Sequence, residues 1–152
     1  MEKAHTATAR AENLPVSRKT SIEIANFIRG KEVEKVKKLL ADVLKKKVAV
    51  PFKRATFDRG HKRGIGPGRY PEKATQEILK LLASAESNAR NQGLNNSLVI
   101  SAILVNKGTT QWRHGRQSKR QAKKAHIELI LTEKQTEKKE KPKTEKKQVN
   151  KK

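Results

Sequence analysis

Three observations predict an α+β fold, with three helices packed on a small antiparallel sheet and a long protruding β-hairpin. Three segments carry apolar residues at the spacing of one helix face. Two later segments, SLVISAILV (97–105) and HIELIL (126–131), have the composition and alternation of strands. Between them lies NKGTTQWRHGRQSKRQAKKA (106–125), which holds seven Lys or Arg, one His and no acid. A hairpin loop ordinarily takes about two to five residues, and longer structureless connections are usually functional or disordered. The excess predicts a ribbon-like arm over 107–125.

Residues 1–13 have no strong periodicity and read as a loose N-terminal arm or a short edge strand. A domain then runs from 14 to 133. Its first helix lies within LPVSRKTSIEIANFIRG. Ser17 is a candidate N-cap, and Thr20 with Glu23 offers an alternative capping box. Ile22, Ala25 and Ile28 form its stripe, widened by Ile24 and Phe27, and Gly30 is placed to end it. The second helix, about 32–46, has Val33, Val36, Leu39, Leu40, Val43 and Leu44 on one side and Lys and Glu on the other. The third starts at Pro71, a favoured first-turn residue, and runs along Ala74, Ile78, Leu81, Leu82, Ala85 and Ala89 to the stop at Gly93.

Strands are expected at about 97–106 and 126–132. The first is nearly continuous apolar, the pattern of a central or doubly covered strand. The second places Ile127, Leu129 and Leu131 on one face and His126, Glu128 and Ile130 on the other. From Lys134 the chain has nine Lys, three Glu and almost nothing apolar, so 134–152 is expected to be a disordered basic tail.

The formal charge is +22, the pI is near 10.5 and 34% of residues are hydrophobic. Self-repulsion at that charge disfavours a compact state unless a polyanion neutralises it, which points to nucleic acid or an anionic membrane. No stretch approaches the roughly 18 apolar residues of a membrane span, and the N-terminal residues lack the apolar core of a secretory signal. The absence of Cys excludes disulfides and Cys-based zinc sites. A soluble intracellular protein facing a polyanion is therefore expected.

Catalysis finds little support. The few acids lie mainly beside Lys on helix faces, where solvated pairs explain them. His5, His61, His114 and His126 are scattered, with no pair at ligand spacing. The GIGPG run at 64–68 lacks the Lys-Ser/Thr pair of a phosphate loop and does not follow a strand. No enzyme activity, cofactor, metal or small-molecule substrate is expected.

Nucleic-acid contact fits two segments better. In 51–70, PFKRATFDRGHKRGIGPGRY, the cations Lys53, Arg54, Arg59, Lys62, Arg63 and Arg69 stand against Asp58 alone. Gly60, Gly64, Gly66 and Gly68 would let the backbone approach something closely, and the segment ends at a helix N-terminus suited to phosphate. A flexible solvated connector is the plainer alternative. In the arm, Trp112 is the chain's one Trp and adjoins Arg113, a pairing suited to base stacking with cation–π support. Lys107, Arg113, His114, Arg116, Lys119, Arg120, Lys123 and Lys124 complete its candidate contacts, with charge on both ribbon faces as if RNA lay on both sides.

Several motifs, in order, also resemble one family. PVSRKTSIEIANFIRGK (15–31) resembles the SPRK…RGK opening of the large-subunit ribosomal protein family L-twenty-two. ILKLLASAESNARNQGL (78–94) is similar to its third helix, and LVISAILVNKG with HIELILTEK to the stems of its long hairpin. VPFKR (50–54) and GPGRYP (66–71) resemble an insertion of archaeal and eukaryotic members. The resemblance covers about 15–134. It implies a cytoplasmic protein of the large ribosomal subunit that binds large-subunit ribosomal RNA, aids its assembly and lines the peptide exit tunnel with its hairpin. The implied partners are that RNA, neighbouring ribosomal proteins and the nascent peptide, with no membrane. Carried onto this chain, it adds Ser17, Arg18 and Lys19 as the RNA-facing start of the first helix. The arm is several residues shorter than in most relatives, with Arg113-His114-Gly115-Arg116 where a longer Pro-Arg-Ala-x-Gly-Arg is usual. The alternative is an architectural DNA-binding protein with a β-ribbon arm. A helical protein of anionic membranes fits less well, because the polar helix faces mix Glu with Lys.

Overall fold

The computed structural model describes residues 6–54, 58–94 and 97–133. The Lys-rich segment 134–152, expected to be a disordered tail, lies outside the described residues. Among them the elements run β1 (Thr6–Leu14), α1 (Arg18–Ile28), α2 (Val33–Leu44), β2 (Val50–Pro51), β3 (His61–Lys62), β4 (Gly66–Arg69), α3 (Glu72–Asn91), β5 (Leu98–Lys107) and β6 (Ala125–Glu133). The fold is α+β. An antiparallel sheet of order β1-β6-β5 carries the helices, and a second small antiparallel sheet of order β2-β4-β3 forms within 50–69.

The core follows from the two periodicities. Ile127, Leu129 and Leu131 of β6 are fully buried, as alternation requires, while His126, Glu128 and Ile130 on the other face are only partly covered. Val33, Val36, Leu40 and Val43 of α2 and all six expected stripe residues of α3 are buried. In α1 the buried face is rotated from the expected stripe. Ser21, Glu23, Ile24, Ala25 and Ile28 are buried, whereas Ile22 is only partly so. Its first intrahelical bond, Ser21 N–H to the Ser17 carbonyl at 2.9 Å, makes Ser17 the N-cap position. Thr20 and Glu23 are therefore interior residues and not a capping box.

The expected central position of the first hairpin strand needs correction. The central strand is β6, and β5 is an edge. The apolar run of β5 looks continuous because a bulge between Ile100 and Ala102 switches its faces, so Leu98 and Ile100 before it and Ile103 after it all point inward. That edge is covered by the turn after α1, where Gly30 has φ +74°. Gly30 N–H donates to the Ile100 carbonyl at 2.9 Å, Ile100 N–H to Lys31 at 3.0 Å, and the Arg29 guanidinium to the Ile103 carbonyl at 3.4 Å. The β1 edge receives Asn88 of α3, whose amide donates to the Thr8 carbonyl at 2.9 Å. Both edges of the larger sheet are thus partly closed to further strands.

Candidate nucleic-acid interface

The arm leaves the sheet at a fixed root. The β5–β6 ladder ends at Lys107 opposite Ala125, and Gly108 N–H donates to the Lys124 carbonyl at 3.0 Å. Beneath Gly108 lies Asn13, which adopts φ +50° and accepts the Thr109 N–H at 3.2 Å. A Cβ on Gly108 would meet Asn13 Oδ1 at 3.0 Å and the Lys124 carbonyl carbon at 3.1 Å, so glycine lets the two chains cross there. Outward, pairing thins to the bonds Ala122 N–H to Gln111 at 2.8 Å and Arg113 N–H to Arg120 at 2.9 Å. The tip is a single 3₁₀ turn, Gly115–Gln117. Trp112, opposite Gln121, is 61% exposed.

The segment 51–70 is folded at its base, not a simple connector. Val50 pairs with Arg69 and Pro51 with Gly68, and Phe52 N–H donates to the Pro67 carbonyl at 2.9 Å while its ring is buried. His61 and Lys62 pair with Pro67 and Gly66. The glycines here mostly serve the chain's own folding. Gly64 and Gly66 take positive φ in the turn, and a Cβ at Gly68 would meet Ile65 Cδ1 at 2.9 Å and Lys62 Cγ at 3.0 Å. Lys62 is turned inward enough to place its ammonium 5.5 Å from the Tyr70 ring centroid.

The arm, the start of α1 and this segment converge on two clefts. One, of about 570 Å³, is lined by Ser17, Arg18, Lys19 and Thr20, by Arg59 and Arg69, and by Lys107, Thr110, Lys123 and Lys124. No acid lines it. The first turn of α1 likewise carries no acid, and the Ser17 side chain makes no capping bond, so nothing within the helix offsets its positive end. The second cleft, of about 740 Å³, lies between Pro15–Thr20, the Arg69–Ala74 entry to α3, and the arm residues Arg113, Arg120 and Lys123. Its one acid, Glu72, pairs with Lys46 at 3.1 Å.

Eleven of the eighteen expected contact residues therefore line a cleft or, in the case of Trp112, adjoin one along the arm. His114, Arg116 and Lys119 are exposed at the tip, Lys53, Arg54 and Arg63 are exposed away from both clefts, and Lys62 is half-buried beside the Tyr70 ring. Thr20, Thr110, Tyr70 and Lys73 join the linings without a signal in the sequence, since only the chain's folding brings them there. Among the described residues no His, Asp and Glu group could hold a metal, and no helix is long and apolar enough to cross a membrane.

Fold and charge together define a basic α+β protein organised around a charged hairpin. The family model described as ribosomal protein L22p/L17e matches residues 9–132. The chain is 41% identical over 102 residues to the large ribosomal subunit protein uL22 of Picrophilus torridus, covering 67% of this chain and 68% of that one. It is 38% identical over 133 residues to the protein of that name from Archaeoglobus fulgidus (82% and 86% covered), and 38% over 142 residues to that of Methanoculleus marisnigri (88% and 93%). The chain belongs to the ribosomal protein L22p/L17e family. It is accordingly a structural constituent of the large ribosomal subunit and not an enzyme.

Proposed function

We propose that this chain binds large-subunit ribosomal RNA through the two basic clefts, aids assembly of that RNA, and extends its arm to line the nascent-peptide exit tunnel. The observation that carries this reading is the convergence of cations from three separate segments on an acid-free cleft at the start of α1. A phosphate there would meet free backbone N–H groups, the positive helix end, and Arg and Lys side chains together. Cations presented by a helix start, a folded loop and an arm suit a folded RNA, whose backbone presents phosphates from several sides. A duplex-DNA ribbon would need one charged face, whereas here Lys107 and Lys124 line one cleft, Arg113 and Arg120 the other, and Arg116 and Lys119 the tip. Neighbouring ribosomal proteins and the emerging peptide are the further partners of this reading.

The test is a binding titration of the full chain with transcribed large-subunit RNA across a range of KCl concentrations. Affinity should fall linearly on logarithmic axes, and Arg18→Ala or Lys123→Ala should each flatten the slope by about 0.7 to 0.9. Variants with the wild-type affinity and slope would remove the clefts from the interface.

A further inference from the structure

Three polar side chains are buried among the described residues: Ser21, Glu23 and Thr75. Ser21 and Thr75 donate back to carbonyls of their own helices, at Ser17 (3.1 Å) and Pro71 (2.9 Å). Glu23 reaches elsewhere. At 2% exposure, its two carboxylate oxygens accept the consecutive backbone N–H groups of Arg54 at 2.9 Å and Lys53 at 3.3 Å, across 31 and 30 positions of sequence. A buried carboxylate is costly unless donors surround it, and hydrogen bonds to a charged acceptor are among the stronger ones. This acid therefore has a defined job at one place, the point where the basic segment 51–70 leaves the core.

The neighbouring geometry shows what the job accomplishes. Phe52 is 3% exposed and anchors the chain in the core, while its own N–H is held by Pro67. Glu23 takes the next two amides, which fixes the backbone direction so that the Lys53 and Arg54 side chains both emerge exposed. An exposed acid at this spot would repel phosphate. Sunk in the core, it meets backbone N–H dipoles and keeps its negative charge off the surface.

We propose that Glu23 is the positioning residue of the RNA interface, holding the root of the basic segment so that Lys53 and Arg54 are presented to RNA phosphates. This rests on the RNA-binding reading above and extends it to two cations that lie outside the clefts.

The test uses the full-length chain, in vitro transcribed large-subunit RNA, and the variants Glu23→Gln and Lys53→Ala/Arg54→Ala. Amide hydrogen exchange on the free protein should show Lys53 and Arg54 exchanging at least about tenfold faster in Glu23→Gln, the loss expected for bonds to a charged acceptor, with β6 amides unchanged. Both variants should flatten the salt slope of RNA binding by about 1.5, the share of two phosphate contacts. A variant that was merely less stable, but folded, would keep the wild-type slope. If Lys53→Ala/Arg54→Ala flattens the slope and Glu23→Gln does not, the positioning role is overturned while the RNA reading stands. Wild-type slopes in both variants would overturn the positioning role together with the claim that this segment faces RNA. Should Glu23→Gln lose β6 protection, Glu23→Asp carries the same two measurements, because it keeps the charge but withdraws it by one methylene.

Discussion

At the scale of single residues, the interface depends on positions whose importance comes from distant partners. Gly108 is one. A Cβ there would sit 3.0 Å from Asn13 Oδ1 and 3.1 Å from the Lys124 backbone, tighter than ordinary contact, and the Asn13–Thr109 bond spans 96 positions. Gly108→Ala should cost about 1–3 kcal/mol in urea unfolding, because backbone cannot step aside as a flexible side chain can. Gly60→Ala, where a Cβ meets nothing within 4 Å, should stay within about 0.5 kcal/mol of wild type. Equal effects would contradict the crossing at the arm root. Trp112→Ala should leave stability unchanged, since the ring is 61% exposed, yet weaken RNA binding by about 1–3 kcal/mol if one base stacks on it. The sequence makes Trp112 legible through its charged surroundings. It leaves Gly108 and Asn13 silent, because no local pattern reports a contact between strands so far apart. Glu23 is visible in the sequence only as a cap candidate, and its true role depends on where residues 53 and 54 fold.

At the scale of elements, helices are the most legible, since their stripes repeat over three or more turns. The α2 and α3 faces follow that repeat, and α1 departs by a rotation that buries Ser21 and Glu23 in place of Ile22. Strands are legible in place but not in order. The bulge in β5 mixes its two faces and mimics a central strand, and β2 and β3, at two residues each, are too short to show any period. The arm is a separable element, because the core ladder closes at Lys107 and Ala125. Deleting 109–122 would leave Gly108, Lys123 and Lys124 as a three-residue turn, a length hairpins commonly use. The shortened chain should keep its helical circular-dichroism signal and its unfolding cooperativity. Global unfolding of that variant would show that the arm is part of the core. Leu129→Ala, by contrast, empties a fully buried position on the central strand and should cost about 2–5 kcal/mol.

At the scale of the whole molecule, a net charge of +22 on 152 residues sets the terms. The charge is not spread evenly, since α2 and α3 carry Glu34 and Glu72 in their first turns, while α1 and the arm carry no acid where they meet. The need for a polyanion is legible from composition alone. The clefts are not, because they arise only when residues 17–20, 59–69 and 107–124 are folded together. Family membership places the chain in the large ribosomal subunit, and the proposal that the clefts face its RNA is testable there. The most direct measurement is zero-length protein–RNA crosslinking in large subunits containing this chain, with the modified peptides identified by mass spectrometry. Crosslinks should concentrate at residues 17–19, at 59 and 69, and along 107–124, with Trp112 and Arg113 among them. Crosslinks confined to the Lys-rich 134–152, with the clefts and arm unmodified, would contradict the account.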